Sequence, residues 1–124
     1  MNGETKAWPK VAVVAYEASC LPYDHPDRRI FTVRIEKRSE REGRSLWAVV
    51  WMGDNLSASG RWDREPQPSS RTEAWLAGHR FDLDAAMTLA MSAARLLEVN
   101  GLTVDDVLAG PAPNTIPANE TQGD

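Results

Sequence analysis

Between residues 30 and 38 the chain alternates. Phe31, Val33 and Ile35 fall on one parity, and Thr32, Arg34, Glu36 and Arg38 on the other. A period of two predicts a half-buried strand. Residues 46–52, LWAVVWM, do not alternate; all seven are apolar. A strand of that kind either lies under cover on both faces or exposes tryptophan. Parity places Trp47 and Trp51 together and sends Leu46, Ala48, Val50 and Met52 to the opposite face. Residues 10–18, KVAVVAYEA, predict an earlier strand, and the charged stretch 39–44 around Gly43 predicts a hairpin turn. Gly53, Asp54 and Asn55 break the apolar run, and Ser59-Gly60 predicts a second tight turn into a short fourth strand at 61–63.

Helical spacing takes over beyond Pro68. Ser70 followed by Glu73 has the form of a capping box opening a short helix over 71–77, with Gly78 at its exit. Asp82 is a natural N-cap for a main helix over 83–99, in which Leu83, Ala86, Met87, Ala90, Met91, Ala93, Ala94 and Leu97 share one side. Asn100-Gly101 reads as its left-handed stop. A last turn begins near Thr103, with Val104, Val107 and Leu108 facing inward. Strands followed by helices predict an α+β domain: an antiparallel three- to four-stranded meander with one long C-terminal helix and a short helix packed on one face. Residues 1–9 are expected to be a flexible N-terminus, 10–109 a single domain, and 110–124, with three prolines and no periodicity, a disordered tail.

A magnitude singles out the tryptophans. Burying Trp47 and Trp51 at roughly 200 Å² each and about 25 cal/mol/Å² contributes at most about 10 kcal/mol. Net stability of a domain is only about 5–15 kcal/mol. Three placements follow: both in the core, both on an exposed patch for another protein chain, or both stacking bases or a small ligand. On the exposed placement they lie beside Arg34, an aromatic–arginine surface of the composition favoured at interfaces.

Charge modifies this picture only locally. The 124 residues carry 14 basic and 18 acidic side chains, a net charge of −4, which gives no overall attraction to nucleic acid. Residues 28–64 alone carry 9 basic and 5 acidic side chains. Arg61, Trp62 and Arg64 on the next hairpin and Thr32 and Arg34 on the second strand are therefore candidate contacts for a partner, nucleic acid included. Cys20 is the single cysteine, which fits a reducing compartment. The only apolar N-terminal run, 11–15, is too short for a signal or a membrane span, and a cytoplasmic protein with no membrane contact is expected.

The loop 20–27 holds Cys20, Asp24 and His25, a conceivable nucleophile and base. As a metal site these residues, with distant His79, lack the paired spacing of a zinc module. His79 reads better as a cap on the short helix than as a base oriented by Asp82 or Asp84. No phosphate loop, nucleophile elbow or carboxylate pair occurs, so no cofactor, metal or catalysis is expected.

An ordered set of short motifs carries a resemblance: Ala18-Ser19-Cys20-Leu21-Pro22, Leu46-Trp47-Ala48-Val49, Gly60-Arg61-Trp62 with Glu65-Pro66, and Pro68-Ser69-Ser70. Trp75-Leu76, His79-Arg80-Phe81-Asp82-Leu83-Asp84 with Ala86, and Asn100-Gly101-Leu102-Thr103-Val104 complete it. In that order they resemble small proteins of actinobacterial bacteriophages and prophages, over about residues 16–108. The resemblance implies a phage-related setting in a bacterial cytoplasm and carries over no activity. The reading that follows is a non-enzymatic protein-interaction module, contacting a host protein or a second copy through Trp47, Trp51, Thr32, Arg34, Arg61, Trp62 and Arg64. A nucleic-acid-binding protein using the Arg34 face and the 61–64 hairpin is the alternative, and a small enzyme using Cys20 and His25 the third.

Overall fold

Three two-residue turns set the architecture. Glu42 and Gly43 have φ of 53° and 77°, Met52 and Gly53 49° and 86°, and Asn100 and Gly101 53° and 80°. Positive φ at both positions gives the turn whose twist matches that of paired strands. Glu42 and Met52 are not residues that announce this conformation. The break expected at 53–55 is consequently a hairpin, and the sheet gains a fifth strand.

The computed structural model describes residues 7–110. Most of the expected flexible N-terminus, 1–6, and all of the expected tail except Gly110 lie outside the described residues. Strands β1 (Ala15–Ala18), β2 (Val33–Arg41), β3 (Arg44–Trp51), β4 (Asp54–Leu56) and β5 (Trp62–Arg64) form one antiparallel sheet in chain order. Helices α1 (Glu73–His79) and α2 (Leu83–Arg95), a ribbon of β6 (Glu98–Val99) and β7 (Leu102–Thr103), and a final turn α3 (Val104–Leu108) follow. The fold is α+β with an antiparallel meander.

Register decides where the tryptophans go. Ile35 lies opposite Val49, Arg34 opposite Val50, and Glu36 opposite Ala48. Directly opposed residues share a face, so Trp47, Val49 and Trp51 stand with Val33 and Ile35 and away from Arg34. That face packs against α2, whose Ala86, Ala90 and Ala94 are all buried. Alanine at every fourth position lets the helix axis approach the sheet. Trp47 is 5% exposed, and its ring lies 5.7 Å from that of Tyr16. Its backbone exchanges two hydrogen bonds with Phe81, which takes the edge of β3 that the short β4 leaves open.

Several boundaries differ from the sequence reading. The expected strand at 10–18 is paired only from Ala15, although Lys37 N–H still donates to Val14 C=O at 2.9 Å. The cause is a bulge between Lys37 and Ser39 that breaks the β2 ladder just where residues 10–13 would pair. Residues 28–31 form a 3₁₀ turn, so β2 begins at Val33, yet Phe31, Val33 and Ile35 are all buried as alternation requires. Thr72, not Ser70, caps α1, because Ser70 is held in the 3₁₀ turn opened by Pro68. Gly78 lies inside α1. Helix α2 stops at Arg95, four residues early, because Asn100 and Gly101 turn β6 onto β7 instead of closing the helix. Met91, expected on the buried side, is exposed. Val104 and Val107 point inward as expected; Leu108 does not.

Asp82 does cap α2, its carboxylate accepting from Ala85 N–H at 2.9 Å. Asp82→Ala should cost about 1 kcal/mol, seen as a lower urea midpoint with an unchanged slope.

Candidate functional site

The face of the sheet opposite α2 is lined by paired charges. Glu17 meets Arg28 at 3.6 Å and Arg34 at 3.4 Å; Arg34 meets Glu36 at 3.0 Å; Glu36 meets Arg38 at 3.0 Å. Arg38 reaches Glu65 at 2.9 Å, and Glu65 also binds Arg71 and, at 3.0 Å, Arg80. Burial opposes the charge on Glu36, but hydrogen bonds and the charges of Arg34 and Arg38 outweigh it and hold the carboxyl below its usual range. Burial likewise opposes Glu65, and Arg71, Arg80 and Arg38 together overcome it.

At the far end of this face a second polar cluster joins α1 to β4 and β5. Arg80 donates to Asn55 Oδ1 at 3.1 Å and stands 5.4 Å from the Trp75 ring centre. Asn55 and His79 are both buried. The His79 ring stacks on Trp75 at 4.0 Å and 6°. Its Nδ1 lies 2.6 Å from the Trp75 carbonyl and its Nε2 2.8 Å from Asp63 Oδ2. A carbonyl only accepts, and Asp63 is held below the ordinary carboxyl range by that contact with His79 and by Arg61. Both ring nitrogens are engaged within the chain, one by the backbone of α1 and one by a β5 side chain. His79 thus caps α1, with Asp63 as its acid neighbour rather than Asp82 or Asp84.

The candidate contacts separate. Trp47 is core. Trp51 donates from Nε1 to Ile30 C=O at 3.0 Å and packs on Trp62 with ring centres 5.6 Å apart. These rings belong to the α2 side of the sheet, while Arg34 is on the other, so the composite tryptophan–arginine surface does not form. The physical reason is the pairing of Arg34 with Val50, which gives Trp51 the opposite parity. Thr32 turns its hydroxyl to Arg28 C=O. Thr32 and Arg34 line a concavity of about 690 Å³ with Arg29 and Met52. Arg61 pairs with Asp63 at 3.4 Å, and Arg64 is exposed. Cys20 and His25 line different hollows, and His25 Nδ1 accepts from Asp27 N–H at 3.0 Å. Among the described residues no hydrogen bond joins Cys20 to His25 and no three His, Cys, Asp or Glu side chains gather as a metal site. No described helix is long and apolar enough to cross a membrane.

The sequence reading missed a different surface. Trp8 is 75% exposed, Val11 101%, Val13 53% and Val14 60%. These residues precede β1, which is an edge of the sheet. An edge strand presents unpaired N–H and C=O groups. Beside it, on the α2 side, a groove of about 490 Å³ is lined by Tyr16, Ala18, Ile35, Met87 and Met91. The bare valine count was visible in the sequence; that the bulge in β2 strips these valines of their neighbour was not. No family model matches the chain, and neither curated proteins nor solved structures match it.

Proposed function

We propose that the chain is a non-enzymatic protein-interaction module that adds an extended partner strand to the edge of β1. The observation that carries this reading is the exposed run of valines continuing directly from an open sheet edge. Edges are ordinarily blunted by lysine, proline or a covering segment, and large exposed apolar runs mark contacts. Strand addition gives affinity through main-chain hydrogen bonds and selectivity through alternate side chains. The groove holding Met87 and Met91 would receive the side chains of one parity. The resemblance to actinobacterial phage proteins supports a bacterial cytoplasm as the setting. The engagement of both His79 ring nitrogens within the chain supports a structural role for the His79–Asp63 pair.

An array of nine-residue peptides probed at nanomolar protein should retain alternating, β-branched sequences. Bound peptide should slow amide exchange within Ala15–Ala18. Retention of peptides with protection confined to other strands would overturn the edge reading. Binding of short DNA or RNA that collapses steeply with salt, without peptide binding, would move the function to the Arg34 face.

A further inference from the structure

We infer that the strand added at β1 belongs to a second copy of this chain, the two copies related by a twofold axis normal to the sheet. The inference rests on the strand-addition reading and names its partner. The segment 10–18 reads as one nine-residue strand in the sequence, yet within one chain only Ala15–Ala18 are paired. The chain therefore carries both an open edge and the strand that fits it.

Symmetry restricts the register. Residues directly opposed across an antiparallel pair share a face, so a twofold axis normal to the sheet must pass through a residue opposed to itself. Centring on Val14 pairs residues 10–18 with 18–10 of the second copy. Pro9, which has no N–H to give, then lies just outside the ladder, where proline is tolerated. No like charges meet: Lys10 faces Ala18, and Glu17 faces Val11. The second copy's Ala12 and Val14 fall on the parity of Tyr16, the side on which Met87 and Met91 line the groove. One arrangement thus uses the open edge and the groove together, with Val14 on the groove side and Val11 and Val13 on the face of Glu17.

Light scattering at micromolar concentration should give twice the chain mass, and Val11→Asp/Val13→Asp should give a monomer with an unchanged far-ultraviolet circular dichroism spectrum. Both valines are more than half exposed, so the variant keeps its fold. Register is tested separately, in a Cys20→Ser background. Val14→Cys should oxidise to a covalent dimer, since self-opposed residues lie about 4.5–5.5 Å apart, within disulfide reach. Val11→Cys should stay monomeric on a non-reducing gel, because its two copies lie about 20 Å apart. A native monomer whose β1 edge still binds array peptides would overturn the second-copy inference and leave the strand-addition reading standing. A dimer that survives the aspartate variant, or that cross-links equally through Val11→Cys, would place the contact elsewhere and overturn it too. Loss of both dimer and peptide binding would sink both.

Discussion

Trp47→Ala should cost about 3–5 kcal/mol, measured by urea denaturation followed in the far ultraviolet. The side chain is almost fully enclosed, between Tyr16 and the alanine face of α2. Its removal leaves a cavity that neither the sheet nor a helix anchored at Asp82 closes without strain. The loss is a large fraction of the roughly 5–15 kcal/mol that holds an ordinary domain together, so a steep fall in the urea midpoint is expected. Trp51→Ala should cost clearly less, because that ring is part-exposed and gives up one hydrogen bond and the contact with Trp62. Equal losses at both positions, or a loss under about 1 kcal/mol at Trp47, would contradict the register of β2 and β3.

Glu65→Gln should be the most damaging change on the other face, at about 3 kcal/mol. Arg80 has a side-chain exposure of 5% and Glu65 16%. Removing the carboxylate charge strands a guanidinium that is already desolvated, which costs more than the intact pair gains. Glu73→Gln is the control. The Arg41–Glu73 pair, at 59% and 78% exposure, belongs to the class of surface bridges worth about 0–1 kcal/mol. Glu65 also sets a pH dependence. Its carboxyl lies below the usual range when folded, so on acidification the unfolded chain takes up the proton first. The stabilisation is fully present above the ordinary carboxylate pKa of about 4.3 and is lost as pH falls through the lower folded value. Urea midpoints between neutral pH and pH 3 should fall less steeply in Glu65→Gln than in the native chain. Parallel curves would remove Glu65 from the acid response.

Parity made part of this legible in the sequence. Alternation at 31–36 separated Phe31, Val33 and Ile35 from Thr32, Arg34 and Glu36, and the structure buries the first set as a group. Trp47 and Trp51 share a face for the same reason. Which face they take depends on register, which is fixed by Glu42 in a left-handed turn and by an extra residue at Arg38. Neither residue type advertises that role. The end of α2 was hidden because Leu97 continues the helical spacing beyond the true stop and is buried anyway. The Arg80, Glu65 and Asn55 cluster spans separations of 15 and 25 residues, and no local pattern encodes contacts of that range. The exposed valines were visible as a strand; only the loss of their neighbour on β2 turned them into a surface.

The strict chain order of the sheet has a consequence for synthesis. All five strands are complete at Arg64, whereas the helix that covers their apolar face ends at Arg95. At about 5–20 residues per second, the intervening stretch takes some 2–6 s to translate. During that interval a nascent meander presents Trp47, Val49 and Trp51 to solvent and to any chaperone at the ribosomal exit. The arrival of three alanines in α2 is what ends this exposure.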